Sequence, residues 1–193
     1  TIVIGDVHGC FFTLQTLLKQ LPKNAEIIFV GDLCDRGNYT KEVIECVMQN
    51  NYVSLLGNHE SYMLESVESA LEGKPTRWIN ESYMGGKETL RSYKNAHDTL
   101  VKHLQWIAKN PLYILKDNYF ITHGFALPYY KRRDIKEKQH SFFVNRVKDI
   151  EEWGHDFEEG YDQYDFINVF GHETFQEVMI RDNLYGIDTS CVY

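Results

Sequence analysis

Residues 27–38 read Ile-Ile-Phe-Val-Gly-Asp-Leu-Cys-Asp-Arg-Gly-Asn: four apolar residues, then a polar run with two acids, an arginine and two glycines. Four consecutive apolar positions bounded by a breaker predict a strand buried on both faces, and Gly31 ends it. A buried parallel strand delivers the next side chain to its carboxyl edge, where a crevice on a rigid frame favours chemistry. Asp32 takes that place. Asp35 adds a second carboxylate, Arg36 a cation that can grip phosphate with two parallel hydrogen bonds, and Gly37 a residue free to take positive φ.

The same pattern recurs on both sides. Upstream, Ile2 to Ile4 precedes Gly5-Asp6-Val7-His8-Gly9, so Asp6 and His8 lie two apart and point the same way in an extended segment, as a pair of metal ligands would. Phe11, Leu14, Leu17, Leu18 and Leu21 fall at helical spacing, and Pro22 with Asn24 stops that helix before the strand at Ile27. This is a βαβ unit, whose right-handed crossover puts the Asp6/His8 and Asp32 loops on one edge of a parallel sheet. Downstream, a helix from Thr40 with the stripe Val43, Ile44, Val47 and Met48 leads into a strand over Tyr52–Leu56, which ends in Gly57-Asn58-His59-Glu60. On its own Asn58 reads as a turn residue and Glu60 as a first-turn helix acid.

Beyond this core a helix carries Met63, Leu64, Val67 and Leu71, and residues 72–87 read as an irregular excursion with Trp78, Tyr83 and Gly85-Gly86, either packing over the site or lying idle on the surface. Helical segments follow around Leu90 and Tyr93 and around Leu100, Leu104 and Ile107. Strands over Leu112–Leu115 and Tyr119–Thr122 form a hairpin that ends in His123-Gly124. Phe142, Phe143, Val147 and Ile150 form a helical face among which Arg146 sits, either snorkelling to solvent or reaching a phosphate. A strand over Phe166–Phe170 closes with Gly171-His172-Glu173, and Val178–Ile180 with Leu184–Ile187 make a second hairpin, so the late strands are expected to be antiparallel. Two βαβ units followed by two hairpins predict an α/β domain spanning residues 1–193, with two mixed sheets sandwiched between helices. His97, His103, His140 and His155 lack a strand-end context and read as surface or packing residues.

Composition narrows the function. Acids outnumber bases 28 to 20 in 193 residues, a formal charge of −8, which argues against a general nucleic-acid surface and for solubility or divalent cations. No apolar run suits a membrane span and no signal peptide is visible, so a cytoplasmic protein is expected. Cys10, Cys34, Cys46 and Cys191 have neither CxxC nor zinc-knuckle spacing, and reduced thiols are the default. Thr1 opens directly into a strand, which suggests a missing residue or two before it.

The strand-end residues Asp6, His8, Asp32, Asn58, His123 and His172 supply two carboxylates, an amide oxygen and three imidazoles, a donor set for a dinuclear site of borderline cations such as Mn²⁺, Fe²⁺ or Zn²⁺. GDVHG, GDLCDRG, GNHE, a strand-borne HG and GHE, in that order, resemble the phosphoprotein phosphatase branch of the calcineurin-like metallophosphoesterases. WINESYMGGKETLRSY, HLQWIAKNPLYI, FVNR and GIDTSCVY extend the resemblance to small bacterial and phage members over nearly the whole chain. The resemblance implies that Asp6, His8 and Asp32 hold one metal and that Asp32, Asn58, His123 and His172 hold the other, two manganese ions being expected. It further implies direct attack of a metal-bridging hydroxide on phosphorus, His59 as general acid held by Asp35, and Arg36, Arg146 and Asn58 as phosphate ligands.

The expected substrate is a phosphoserine or phosphothreonine protein or peptide. Leu56 stands where such phosphatases commonly carry Arg and instead resembles diadenosine tetraphosphate hydrolases, which makes a dinucleoside polyphosphate the alternative. ITHGF and GHE also depart from the commoner motifs, and many relatives continue past the point where Tyr193 ends this chain. Cys34, beside two site acids, reads as a small packing residue, with oxidant sensing as the lesser alternative. A degraded, non-catalytic phosphate-binding module is the rival from another class, against which the retained His59 and Asp35 speak.

Overall fold

A computed structural model describes residues 1–153 and 160–192. β1 (Ile2–Ile4), α1 (Phe11–Leu18), β2 (Ile27–Phe29), α2 (Thr40–Gln49) and β3 (Val53–Ser54) alternate and form a three-stranded parallel sheet in the order β1-β2-β3. Ile4 pairs with Phe29 and Phe29 with Ser54, so the three carboxyl ends share one edge, as the βαβ reading requires. β3 is shorter than expected: Leu55 N still donates to Phe29 O, but Leu56 N turns to Pro111 O.

Four helices follow: α3 (Asn58–Leu71), α4 (Arg77–Asn80), α5 (Gly86–Ser92) and α6 (His97–Ile107). The second sheet runs β4 (Tyr113–Lys116), β5 (Tyr119–Thr122), β6 (Ile167–Phe170), β7 (Met179–Arg181) and β8 (Leu184–Gly186), ordered β4-β5-β6-β8-β7. Both expected hairpins are present and antiparallel, but β5-β6 and β6-β8 pair in parallel. Mixed strand direction is therefore confined to this sheet. A long connection between β5 and β6 makes the parallel pairing feasible, and it carries α7 (Ser141–Val144) and α8 (Val147–Trp153).

Alternation along β2 explains the sandwich. Ile27 and Phe29 face the helices with Val43, Ile44 and Met63, while Ile28 and Val30 face the second sheet through Ile121 and Val169. On the far side of the second sheet Phe120, Phe142 and Phe170 pack together. Each such side chain contributes roughly 1.5–3 kcal/mol on burial, and a one-residue slip would exchange the faces, so the register is fixed by the core.

The single helical face expected over 142–150 is broken at Asn145-Arg146. Asn145 O accepts Phe125 N and Phe142 O accepts Gly124 N, so this backbone serves the loop after β5 rather than a continuous helix. His103 is buried between the Tyr93 hydroxyl and Glu45, and His97 and His140 are exposed, in line with packing and surface roles. His155 lies outside the described residues. No helix among the described residues is long and apolar enough to cross a membrane.

Candidate active site

Five strand ends, those of β1, β2, β3, β5 and β6, deliver their residues to one place. The β1 loop carries Asp6 and His8, the β2 loop Asp32, Asp35 and Arg36, the start of α3 Asn58 and His59, and β5 and β6 end in His123 and His172. The loops are stitched together by backbone bonds: Val7 N and His8 N donate to Asp32 O at 3.1 and 2.8 Å, and Gly171 N donates to His123 O at 2.8 Å. Asp32 is central. Its carboxylate lies 3.6 Å from Nε2 of His8, 4.0 Å from that of His59 and 3.4 Å from that of His123. Asp6 is 3.9 Å from His8, and Asn58 Oδ1 is 2.9 Å from Nε2 of His123.

This donor set fits divalent cations. His8, Asp32 and His59 offer ligand atoms within 4.8 Å of one another, and so do Asp32, His123 and His172, with Asp32 common to both groups. Nδ1 of His8 donates to the Cys34 carbonyl at 2.9 Å and Nδ1 of His123 to the Val30 carbonyl at 3.0 Å, which turns each Nε2 toward the cluster. His172 is held the other way round, Nε2 donating to Val144 O at 3.1 Å, which leaves Nδ1 as its free nitrogen. Burial, with help from neighbouring cations, pushes His8 and His172 down to about 3, the neutral form that ligates metals. For His123 burial is outweighed by Asp32 and Asp6, which push it up to about 9. Asp6 rises to about 8, chiefly by burial and then by Asp32 and Asp188, with His123 opposing. Such a concentration of buried anion is what a cation offsets.

The cluster is held under strain. His8, Asp32, Asp35, Arg36 and His172 all have φ between 46° and 69°, a region that costs side-chain-bearing residues of order 1–3 kcal/mol each and persists only where the surroundings enforce it. The left-handed turn foreseen at Gly37 thus falls on Asp35 and Arg36, and Gly37 is required because a Cβ there would collide with His8 O. Much of the enforcement comes from Glu60. Fully buried, its carboxylate accepts from the backbone N–H of Asp32, Leu33, Cys34 and Gly57 at 2.8, 2.7, 3.1 and 3.0 Å. The sequence reading took Glu60 for an ordinary helix acid; only its place in GNHE beside a turn of unpaired amides hinted at more.

Asp35 is likewise saturated. It accepts from His59 Nδ1 at 2.7 Å, Thr89 Oγ1 at 2.7 Å and Trp78 Nε1 at 2.8 Å, so His59 presents Nε2 to the cleft. Burial disfavours a charged His59, but Asp32 and Asp35 outweigh it and raise its pKa. Trp78 resolves the open question about residues 72–87: α4 packs its indole into the core against the site. Thr89 carried no signal, since a lone threonine in a helix points to nothing. The Arg36 guanidinium reaches Nε2 of both His8 and His59, the latter at 3.1 Å.

A cleft of about 680 Å³ opens above this floor, in the range that accommodates a drug-sized ligand. Tyr62, Arg77 and Tyr83 line it on one side and Val144, Arg146 and Lys148 on the other. Arg146 faces the cleft and is partly exposed, with Asp149 3.9 Å away, so both of its expected roles remain compatible with its position. Glu173 is occupied structurally, accepting Val147 N at 2.6 Å at the start of α8.

A family model for calcineurin-like phosphoesterases matches residues 1–191. The chain belongs to that family. Among curated calcineurin-like relatives, the symmetrical bis(5'-nucleosyl)-tetraphosphatase of Ralstonia nicotianae is 30% identical, the match covering 69% of this chain and 44% of that protein. Serine/threonine-protein phosphatase 2 of Escherichia coli is 31% identical over 97% of this chain and 85% of its own length. The chain thus spans about half the length of the symmetrical tetraphosphatases it matches and most of the phosphatase. A protein serine/threonine phosphatase from Saccharomyces cerevisiae shares the fold, with a TM-score of 0.63, 18% identity, and coverage of 96% of this chain and 65% of that one. The calcineurin-like fold with two sheets and outer helices, expected from the motifs, is therefore present.

Proposed function

We propose that this protein is a divalent-metal-dependent phosphomonoesterase acting on phosphoserine or phosphothreonine in proteins or peptides. The observation that carries the proposal is the buried Asp35–His59 pair, aimed into the cleft beside Arg36. A serine or threonine alkoxide is a poor leaving group and needs a proton as the P–O bond breaks. A phosphoanhydride leaves as a stabilised phosphate and needs it less.

Asp6, His8 and Asp32 would hold one cation and Asp32, Asn58, His123 and His172 a second, with Mn²⁺ as the expected ion and Fe²⁺ or Zn²⁺ also suited to this mixed nitrogen and oxygen set. When bound, such ions supply charge to the phosphoryl oxygens and acidify water. The remaining work falls to the chain. Arg36 binds phosphate oxygens in bidentate fashion, and Asn58 offers its amide N–H to the same group. His59, its Nδ1–H fixed by Asp35, carries a proton on Nε2 to the leaving oxygen, and its raised pKa keeps that proton available toward neutral pH.

A dinucleoside polyphosphate is the second reading, favoured by Leu56 and by the named activity of the tetraphosphatase relatives. The deciding measurement is kcat/KM for phosphoserine peptides and for diadenosine tetraphosphate in one Mn²⁺ buffer. Preference for the peptide is expected. A preference of 100-fold or more for the dinucleotide, about 2.7 kcal/mol of transition-state discrimination, overturns the assignment. His59→Asn tests the mechanism: turnover of alkyl phosphates should fall about 10²–10⁴-fold, that of aryl phosphates much less. Equal losses would place His59 in binding rather than proton transfer. No turnover of either class with any divalent metal would leave only a phosphate-binding module.

A further inference from the structure

All four cysteines are free thiols, and two of them, 181 positions apart in sequence, are brought together. Cys10 Sγ donates to the Cys191 carbonyl at 3.9 Å, which sets the two residues side by side. Cys10 follows Gly9 at the head of α1, half-buried, on the loop that carries Asp6 and His8. Cys191 is exposed, in the irregular chain after β8. Cys34, weighed on sequence as a packing residue against a redox one, is fully buried and out of reach of a dissolved oxidant. Redox reactivity therefore belongs elsewhere.

The segment before Cys191 is already laid against the first sheet. The Ile187 carbonyl would stand 2.9 Å from a Cβ on Gly5, and residues 187–191 form one wall of an apolar groove of about 530 Å³ whose other wall is β1 and α1. Asp188 lines both this groove and the phosphate cleft, held by Thr174 Oγ1 at 3.1 Å and Ser190 N at 3.0 Å. A cross-link at Cys191 would close the end of the groove and pin Asp188 beside Asp6. A disulfide needs Cα atoms roughly 4.4–6.8 Å apart, and residues 189–192, past the backbone bonds that hold Ile187 and Asp188 to Phe170 and Phe175, belong to no strand, so they can settle to that distance without breaking a ladder.

We propose that Cys10 and Cys191 are a reversible disulfide site, closed by a hydroperoxide, that ties the segment after β8 to the loop bearing Asp6 and His8. One thiolate attacks a peroxide oxygen, the O–O bond breaks, and a sulfenic acid forms with release of water or an alcohol. The second thiolate attacks that sulfur and expels hydroxide, which leaves as water. Two thiols are oxidised and one peroxide is reduced. Closure removes two electrons from the thiols and so waits for the peroxide, which leaves the resting pair reduced.

The test treats the full chain, as purified, with excess hydrogen peroxide, alkylates the remaining thiols and maps the peptides. The expected result is a peptide joining Cys10 to Cys191, with Cys34 and Cys46 alkylated once the chain is unfolded. A rise in Tm of roughly 5–15 °C, reversed by dithiothreitol, should accompany it, because the link closes a loop spanning most of the chain. Cys191→Ser, an exposed position, should lose both link and Tm rise, and Cys46→Ser should keep both. Links through Cys34 or Cys46, links only between chains, sulfonic acid with no link, or a link without a Tm rise would each overturn the proposal. None of these readouts depends on the phosphatase assignment.

Discussion

The floor and the walls of the cleft are built by different means. On the floor each functional side chain leaves the end of a strand, and its backbone is tied to another strand end within one residue: Val7 and His8 to Asp32, Gly171 to His123. Even the left-handed turns are locked by several acceptors: Glu60 takes the amides of Asp32, Leu33 and Cys34, the Asp32 carbonyl takes that of His8, and the Thr40 and Thr89 hydroxyls take that of Asp35. The walls come from long excursions, residues 77–84 and 144–148, whose cationic side chains are exposed or loosely paired. A floor residue is thus over-determined and intolerant of change, whereas a wall residue adjusts. Substitutions should separate the two classes by size of effect.

Asp32→Asn should be the most damaging. Among the described residues Asp32 is the one group common to both candidate ligand clusters, and on the proposed two-metal reading exchanging its charge for an amide should remove several kcal/mol of stabilisation from the metal-assisted step, about a thousandfold or more at 1.36 kcal/mol per decade. Metal analysis after gel filtration should find both positions depleted, against one for Asp6→Asn. Full two-metal occupancy in Asp32→Asn would refute its bridging role.

Glu60→Gln tests the floor at one remove from the ligands. Glutamine turns one acceptor into a donor facing the amides of Asp32, Leu33, Cys34 and Gly57, and each unsatisfied group costs roughly 1–3 kcal/mol. Metal affinity should fall about 10–100-fold, the usual effect of losing an outer partner, and Tm should drop. Unchanged values for both would mean that the strained turns hold themselves.

This division also explains what the sequence revealed. Asp6, His8, Asp32, Asn58, His123 and His172 were legible because an apolar run followed by glycine fixes where a strand ends, and the next polar residue then has one place to go. The face split within β2, Ile27 and Phe29 against Ile28 and Val30, follows from period two alone once a second sheet is expected. Glu60, Thr89 and the indole of Trp78 act across 28, 54 and 43 positions of sequence, and no local period encodes a contact of that range. The parallel pairings β5-β6 and β6-β8 were missed for the same reason: the hairpins announce themselves through their turns, but the crossover that joins them passes through residues with no strand signal.

Trp78→Phe sits between floor and wall. It keeps the ring in the core and removes only the N–H donated to Asp35, which still has Thr89 and His59. A hydrogen bond to a charged acceptor is worth about 1.5–3 kcal/mol, and part of that reaches His59 through Asp35, so turnover of alkyl phosphates should fall about tenfold. Aryl phosphates should be affected less. An equal loss on both would mean that the indole supports the fold of the cleft rather than the acid.

Arg146→Gln should have the smallest effect. Its side chain faces the cleft, is partly exposed, and lies 3.9 Å from Asp149, so any attraction it exerts on a bound phosphate is screened by water and shared with that acid. An exposed pair of this kind is worth about 0.2–1 kcal/mol, which corresponds to a fall in kcat/KM of up to about fivefold for a phosphoserine peptide. The loss should appear in KM rather than kcat, since a partner on the wall holds substrate and transition state alike. It should also shrink as salt rises from about 0.15 M to 1 M, where the screening length falls from roughly 8 to 3 Å. A salt-independent loss above about 50-fold, falling on kcat, would move Arg146 from the wall to the floor beside Arg36. No change at low salt would leave it a solvated side chain.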